Sequence, residues 1–259
     1  MVRPKKHLGQ HFLHDENIAR KIVGYLSKDV INVVEVGPGL GVLTKYLLEN
    51  PGLNSCFFEI DCEAVLYLER KYPAISGRLI EKDFLKADLS VIPVPFAVIG
   101  NFPYNISTQI LFRVLEYRNS VTEVIGMFQK EVAERIASPP GSKKYGILSV
   151  LLKAWFNIEY LFTVNELVFY PPPKVKSAVI RLQRNEVKKL NCNEELFFTT
   201  IKTAFNQRRK TLRNALKGMI PSGKLHLPEI QSLLDKRAEQ LSVPDFIVLT
   251  RTIEKSIQG

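Results

Sequence analysis

The sequence predicts an α/β fold, a mostly parallel sheet covered by helices on both faces, followed by a small all-α domain. The first observation is that helix-like and strand-like patterns alternate from about residue 18 to residue 130. Parallel neighbouring strands need crossover connections, so repeated strand–helix units are typical of such a sheet. The second observation is a glycine-rich turn at residues 37–41, between the first strand and its helix. The third is a change of pattern near residue 186, after which no segment has a strand pattern.

The strands are predicted from short β-branched or apolar runs, and the helices from apolar residues three or four positions apart. In the first helix, for example, Ile18, Ile22, Val23 and Leu26 share one face. The predicted strands are residues 32–37, 54–61, 78–84, 95–101 and 121–129. The predicted helices are residues 17–26, 41–50, 62–72, 108–117 and 130–137.

The later part of the chain changes from strands to helices. Two β-rich runs, residues 155–164 and 174–184, are separated by "YPPPK" and favour a closing antiparallel strand near the end of the sheet. Helices are then predicted at residues 194–218, 227–237 and 243–256. We therefore predict two domains, residues 1–185 for the sheet and residues 186–259 for the helical part.

Composition limits the location of the protein. Of its 259 residues 46% are hydrophobic, which is enough for a packed core. No apolar run approaches the roughly 20 residues of a membrane helix, and the N-terminus lacks the apolar core of a signal peptide. The three cysteines show no CxxC spacing, which argues against disulfides and a thiolate zinc site and suits a reducing compartment. We expect a cytoplasmic protein.

The charge balance indicates which kind of partner the protein could bind. There are 36 Lys and Arg residues against 26 Asp and Glu residues, a formal net charge of +10. Such an excess favours a polyanionic partner, nucleic acid or anionic membrane, if it is concentrated on one surface; the alternative is a basic protein with no such partner. His7, His11 and His14 are clustered, but their segment contains Gly9 and has no clear helical face, so no metal site is predicted.

The glycine-rich turn and the next strand end predict a cofactor site. Gly37, Gly39 and Gly41 permit a tight turn and let a ligand approach the backbone beside a helix N-terminus. No Lys-Ser/Thr pair follows the turn, which argues against a P-loop. Glu59 ends the second strand 22 positions after Gly37, near the spacing expected of an acid that hydrogen-bonds a cofactor ribose. Asp61 is the alternative.

The third and fourth strand ends add groups that suit a base. Asp83 is a candidate acceptor for the exocyclic amine of an adenine, with Phe84 beside the ring, since ligands bind at the carboxyl ends of such strands. The fourth strand ends in "GNFPYN". There Asn101 can accept an N–H from an amine, carbonyls near Pro103 can accept another, and Tyr104 can stack on a base. Together these groups predict methyl transfer to a planar amine.

Several sequence blocks resemble the KsgA (RsmA) family of small-subunit rRNA adenine N6,N6-dimethyltransferases. "NFPYNIS" resembles the Asn-x-Pro-Tyr motif of S-adenosylmethionine-dependent amino-methyltransferases. The other matching blocks are "GQHFL" (9–13), "EVGPGLG" (35–41), "EID" (59–61), "QKEVAERI" (129–136), "YGILSV" (145–150), "YPPPKVKSAV" (170–179) and "FNQRRKTLRNAL" (205–216). The resemblance covers nearly the whole chain and implies a Rossmann-like S-adenosyl-L-methionine methyltransferase domain with a helical C-terminal domain.

The resemblance also implies roles for residues. It implies catalytic roles for the motif residues Asn101, Pro103 and Tyr104, and cofactor contacts at His11, Leu13, Gly37, Gly39, Glu59, Asp83 and Asn101. Two positions depart from the common family pattern. His11 stands where Asn is common, and Phe102 stands where Leu is usual, a change expected to reshape the pocket wall.

A basic run predicts the RNA contact. Arg208, Arg209, Lys210 and Arg213 follow one another without an acidic residue, and such cations neutralise phosphates without reading sequence. The alternative is a solvated helix face. Phe169, before the proline run, is a candidate second aromatic for a flipped base, or else a core residue.

The function predicted from the resemblance is dimethylation of two adjacent adenosines near the 3′ end of small-subunit rRNA, with a role in small-subunit assembly. The expected enzyme is a monomer that acts on an assembled small subunit and needs neither metal nor membrane. Two alternatives remain: a large-subunit rRNA dimethylase of the erythromycin-resistance type, and a ribosome-assembly factor on the same fold that acts by binding alone.

Overall fold

The computed structural model describes residues 2–220 and 228–258. Its strands agree closely with the strand predictions and add two short strands near residues 12 and 169. They are β1 (Phe12–Leu13), β2 (Asn32–Val36), β3 (Asn54–Glu59), β4 (Leu79–Glu81), β5 (Phe96–Asn101), β6 (Val121–Gln129), β7 (Phe156–Val164), β8 (Phe169–Tyr170) and β9 (Ser177–Arg184).

The helices separate the strands as the alternating pattern predicts. They are α1 (Glu16–Val23), α2 (Val42–Leu48), α3 (Cys62–Lys71), α4 (Ser107–Glu116), α5 (Lys130–Ala137), α6 (Ile147–Lys153), α7 (Glu194–Asn206), α8 (Leu212–Ala215), α9 (Pro228–Leu234) and α10 (Val243–Gln258). Of the helix predicted at 227–237, residue 227 lies outside the described residues.

One seven-stranded sheet has the order β4-β3-β2-β5-β6-β9-β7. The pairs β4–β3, β3–β2, β2–β5 and β5–β6 are parallel, and β9 is antiparallel to β6. The predicted fold, a mostly parallel sheet with an antiparallel strand near its end, is confirmed. The central strands are almost wholly buried because helices cover both faces. The strand order reverses between β2 and β5, which is where such sheets bind ligands.

A second, two-stranded ribbon joins distant parts of the chain. β1 pairs antiparallel with β8, so that Phe12 lies opposite Tyr170 and Leu13 opposite Phe169. This pairing places the "GQHFL" block beside the proline run. Strands of two residues carry no periodicity, so the sequence pattern could not predict it.

The long helix predicted at residues 194–218 is interrupted. α7 ends at Asn206, and the chain turns through Gln207 to Thr211 before α8 begins at Leu212. Extended backbone at Thr211 and a hydrogen bond from the Leu212 N–H to the Lys236 carbonyl replace the helical ladder there. The basic run therefore lies in a turn and a short helix and not on one continuous helix face.

The chain divides into two compact units that differ from the predicted domains over residues 134–157. One unit contains Met1–Ala133 and Ile158–Arg184, and the other contains Glu134–Asn157 and Asn185–Gly259. Residues 134–157, predicted with the sheet, belong to the helical unit because two of their aromatic rings pack on α7. The Tyr145 ring lies 6.2 Å from the ring of Phe205, and the Trp155 ring lies 6.1 Å from that of Phe197.

Candidate active site

The carboxyl ends of β2, β3 and β5 open into one cleft of about 880 Å³, its open mouth included. Most residues predicted for cofactor or catalysis line this cleft together: His11, Gly37, Gly39, Glu59, Asp83, Asn101, Pro103 and Tyr104. These positions are dispersed over more than 90 residues of sequence, yet the parallel sheet brings them to one edge. The described residues of the N-terminal segment, Leu8 to Phe12, form part of the wall.

The glycine turn has the left-handed backbone that its spacing suggests. Gly37, Gly39 and Gly41 have φ values of 69°, 56° and 77°. A Cβ at Gly39 would lie 2.9 Å from the Phe12 ring, and a Cβ at Gly37 would lie 3.6 Å from the Pro103 ring. A side chain would therefore be strained by the backbone at both positions and also crowded at Gly39, so glycines suit this turn beside the cleft.

Glu59 has the geometry of a hydroxyl acceptor. It is 4% exposed, and its carboxylate accepts N–H groups from Gly39 at 3.0 Å and from Ile60 and Asp61 at 2.9 Å each. Burial raises the pKa of Glu59, although these three hydrogen bonds lower it in part. A carboxylate has about four acceptor positions, so one remains for a ligand.

Asp61, the alternative acid, is committed to the protein. It caps the N-terminus of α3 by accepting from the Glu63 N–H, and it also accepts from Lys5 Nζ and from Gln10 Nε2 at 3.0 Å. Burial pushes the pKa of Asp61 up, but the hydrogen bonds from Lys5 and Gln10 outweigh it and hold the pKa below its ordinary value. Asp61 therefore fastens the N-terminal segment, while Glu59 faces the cleft.

Asp83 lies in a turn just beyond β4 and not at the end of the strand itself. Its carboxylate accepts the Leu85 N–H at 2.9 Å. Phe84 lines the cleft but is 3% exposed, with its ring edge-on to Phe58 at 5.5 Å. Ile60 also lines the cleft and is 53% exposed, an apolar surface that the sequence analysis did not identify. The signal available in the sequence was an apolar residue directly after Glu59.

The end of β5 is fixed by three hydrogen bonds. Asn101 Nδ2 donates to the His11 carbonyl at 2.8 Å, the Tyr104 hydroxyl pairs with Ser177 Oγ, and Ser107 Oγ donates to the Tyr104 carbonyl at 3.2 Å. The His11 ring stacks on Tyr104, with centroids 5.3 Å apart and planes inclined by 30°. The amide and the phenol of the motif thus have defined orientations.

Phe102 has a packing role that explains its size. Its side chain is 1% exposed and lies edge-on to Phe128 at 5.3 Å. Beneath its ring, Gly100 of β5 pairs in register with Gly126 of β6. A Cβ at Gly100 would lie 2.8 Å from the Phe102 ring, and a Cβ at Gly126 would lie closer still. The larger side chain at 102 is therefore accommodated by two glycines on neighbouring strands.

Glu35 is a buried acid that the sequence analysis did not assign. It lies in the middle of β2, is 1% exposed, and accepts the Thr44 hydroxyl at 2.7 Å. Burial raises its pKa to about 8. Together with Leu13, Gly37 and Asn101 it lines a small cavity next to the glycine turn. Leu13 itself is 3% exposed and belongs to the core, outside the main cleft.

The RNA-binding prediction for Phe169 needs correction, and two cations of the basic run have acidic partners. Phe169 is 2% exposed and packs in the main core, because β8 pairs it with Leu13, so it cannot stack on a base in this conformation. Its neighbour Tyr170 is 65% exposed. In the basic run, Arg208 binds Glu239 at 3.1 Å and Arg213 binds Asp235 at 2.8 Å.

The remaining cations of the basic run face solvent. Arg209 and Lys210 are exposed in the turn between α7 and α8.

In residues 2–220 and 228–258, no group of three or more His, Cys, Asp and Glu side chains is placed to hold a metal ion. Across the same ranges, no helix has both the length and the apolar character needed to cross a bilayer.

Comparison with known proteins points to the family that the sequence motifs resemble, over nearly the whole chain. The family described as "Ribosomal RNA adenine dimethylase" matches residues 1–255. A "Ribosomal RNA small subunit methyltransferase A" from Flavobacterium johnsoniae is 57% identical over 256 residues, 98% of this chain and 97% of that protein. The protein of the same name from Parabacteroides distasonis is 54% identical over 260 residues, 100% of this chain and 97% of that protein.

Solved structures agree with the fold. A dimethyladenosine transferase from Plasmodium falciparum superposes with a TM-score of 0.80 at 25% identity, covering 95% of this chain and 98% of the other. The 23S rRNA methyltransferase ErmE has a TM-score of 0.71 at 24% identity, covering 94% and 99%, a likeness of fold alone. The resemblance inferred from the sequence motifs is confirmed: the chain belongs to the ribosomal RNA adenine dimethylase family, which methylates rRNA adenines with S-adenosyl-L-methionine.

Proposed function

We propose that this protein dimethylates N6 of two adjacent adenosines near the 3′ end of small-subunit rRNA. The observation that carries the proposal is the arrangement at the end of β5. There an oriented carboxamide, Asn101, and a held aromatic ring, Tyr104, line the same cleft as the ribose acid Glu59. The choice of the small subunit follows the relatives above 50% identity, which are named for that activity.

The cleft residues fit S-adenosylmethionine. The acceptor left on Glu59 suits the ribose hydroxyls, and Asp83 suits the adenine amine. Ile60 and Phe84 offer apolar contact for the purine ring, and the turn at Gly37 lets the ligand approach the backbone. When bound, the cofactor supplies an electrophilic methyl group.

The residues around the target amine provide orientation. Because Asn101 Nδ2 is bound to the His11 carbonyl, the carboxamide oxygen is the group left to accept an N–H of the adenine. Carbonyls next to Pro103 can accept the second N–H, and together the two bonds aim the nitrogen lone pair along the cleft. The Tyr104 ring stacks on the extruded base, an interaction of about 1–3 kcal/mol. No charged base is needed, since the amine becomes acidic once it is methylated; positioning supplies most of the rate.

A second cleft shares His11 and Tyr104 with the first and suits the RNA strand. It is lined by His11, Tyr104, Gln129 and the proline run, with Lys6 and Lys174 among its residues. Lysines beside an aromatic ring are typical of single-strand RNA contacts. In the helical unit, the exposed Arg209 and Lys210 suit phosphates.

The test supplies purified protein with labelled S-adenosylmethionine and one of three substrates: undermethylated small subunits, large subunits or protein-free rRNA. We expect transfer to small-subunit adenosines, and mass spectrometry of nuclease digests should show N6,N6-dimethyladenosine. Transfer only to large-subunit RNA would favour the erythromycin-resistance type of activity. Subunit binding with no transfer to any substrate would favour the non-catalytic assembly factor. Asn101→Ala should abolish most transfer, and a wild-type rate would contradict its assigned role.

The predictions of a monomer, of a cytoplasmic location and of an assembled subunit as substrate stay predictions. Comparing small subunits with protein-free rRNA in the same assay tests the last of them. Sedimentation of the purified protein tests the first.

A further inference from the structure

His11 occupies a central place between the two clefts. It lines both of them, as does Tyr104, on which its ring stacks. The resemblance to the family implies a cofactor contact at this position, where Asn is common. The contacts of this chain point to a different role for the histidine side chain.

The ring of His11 is held in one orientation. Its Nδ1 lies 2.7 Å from the carbonyl oxygen of Pro171, and since a carbonyl can only accept, Nδ1 carries the proton and donates. The bond joins the N-terminal segment to the proline run, next to the ribbon in which Phe12 pairs with Tyr170. The imidazole is therefore held by the proline run, which lies outside the Asn-x-Pro-Tyr motif whose Tyr104 it contacts.

Tyr104 is held by two contacts. The His11 ring covers one face at a centroid distance of 5.3 Å, and the hydroxyl is fixed to Ser177 on β9. A base that stacks on this phenol must then use the opposite face. The same residue orients the amide, because the His11 carbonyl accepts from Asn101 Nδ2 at 2.8 Å.

We propose that His11 is a positioning residue for the target adenosine: its ring directs the base to one face of Tyr104, and its carbonyl turns the Asn101 amide toward the base. This inference rests on the proposed function and names the residue that orients its substrate. The side-chain part of the role depends on a flat ring at position 11, and the main-chain part does not depend on the side chain.

Three substitutions separate these contributions. His11→Phe keeps a flat ring and loses the bond to Pro171, an exposed residue. His11→Asn keeps a polar donor and loses the ring, and His11→Ala loses both. All three keep the main-chain carbonyl that binds Asn101. Thermal unfolding of each variant identifies any that fail to fold.

The measurements separate base stacking from cofactor binding. An RNA fragment of the small-subunit 3′ end carries 2-aminopurine in place of one target adenosine, and its fluorescence is quenched on stacking. This probe lacks the 6-amino group, so it reports binding without reaction. S-adenosylhomocysteine affinity is measured by calorimetry, and KM and kcat are measured on unmodified small subunits. Tyr104→Ala gives the reference for lost stacking.

We expect His11→Phe to keep the quenching and the KM for RNA within about twofold of the wild type. His11→Asn and His11→Ala should lose most of the quenching and raise the KM for RNA about fivefold or more, the lower end of what a base–aromatic stack provides. S-adenosylhomocysteine affinity should stay within about twofold in all three. Reduced S-adenosylhomocysteine affinity with normal quenching would overturn the proposal in favour of a cofactor contact, and wild-type quenching in His11→Ala would also overturn it.

The quenching assay distinguishes this proposal from the proposed function. If the wild type methylated no rRNA, the proposed function would fail whatever the His11 variants did. If the wild type methylated small-subunit rRNA and the three variants quenched alike, only the positioning role would fail.

Discussion

Replacing Glu35 with Gln should remove a pH dependence from the stability of the sheet. Glu35 is buried in β2, and burial raises its pKa from 4.5 to about 8. The folded protein therefore keeps this proton over a pH range in which the unfolded chain releases it. Because the folded state binds more protons there, stability falls as pH rises from about 4.5 to about 8. Gln has nearly the same shape, accepts the Thr44 hydroxyl in the same way, and does not titrate.

The size of the effect follows from the two pKa values. Over this window the free energy of unfolding falls by at most about 1.4 kcal/mol per pH unit. Between about pH 5.5 and about pH 7.5 the free energy of unfolding of the wild type should fall by roughly 2–3 kcal/mol relative to that of Glu35→Gln. The raised pKa of Glu59 acts with the same sign. Glu59 is present in both the wild type and Glu35→Gln, so its effect on stability largely cancels when the two proteins are compared.

The probe of unfolding must lie in the sheet. The single Trp, Trp155, lies in the helical unit, so its fluorescence follows the wrong part of the molecule. Amide hydrogen exchange of β2 and β5, measured at both pH values and corrected for intrinsic exchange rates, follows the correct part. Glu81→Gln, at an exposed carboxyl on β4, is the matched control. If the free energy of opening differed between wild type and Glu35→Gln by the same amount at the two pH values, a protonated, buried Glu35 would be refuted.

Two further predictions concern packing and RNA binding. Gly126→Ala should cost about 1–3 kcal/mol, because its Cβ would lie against the rings of Phe102 and Phe128. In denaturant unfolding, Phe102→Leu should recover the part of that loss that comes from Phe102. It should recover less of the loss from Gly100→Ala, whose Cβ would also lie 2.6 Å from a main-chain carbonyl oxygen. Equal recovery at both glycines would contradict the packing described for Phe102. Replacing Arg209 and Lys210 with Ala should lower the slope of log affinity for RNA against log salt by about two, as filter binding at several salt concentrations can test. An unchanged slope would show that these two exposed cations contact no phosphate.

Long elements and strand ends were predictable, because their physical causes are local. β6 was predicted with the bounds it has, residues 121–129, since a buried strand between two turns needs a mostly apolar run. Glu59 and Asn101 were predicted as site residues for a related reason. A polar residue that ends an apolar strand in a parallel sheet lies at the ligand edge, whatever the rest of the chain does.

Contacts that depend on pairing between distant segments were not predictable. Phe169 was a candidate for base stacking because it precedes the proline run, but the β1–β8 ribbon buries it and leaves Tyr170 exposed. The basic run lacked any Gly or Pro to mark the turn that divides it. Whether Arg208 is paired depends on Glu239, an acid distant in sequence that the fold of the helical unit places beside it. In each case the deciding partner lies outside the motif.

The site thus combines two kinds of residue with different origins. Groups to which the proposed function gives a direct chemical task, such as Asn101, stand at strand ends of the sheet. Groups proposed to orient them, such as His11, come from a segment held by a hydrogen bond to its main chain and by the contacts of Asp61 with Lys5 and Gln10. Because the second kind acts through ring stacking and a main-chain carbonyl, a family can change the side chain there while the carboxamide stays oriented. A histidine in place of the common asparagine is then compatible with an unchanged reaction, and its effect should lie in how the base is held.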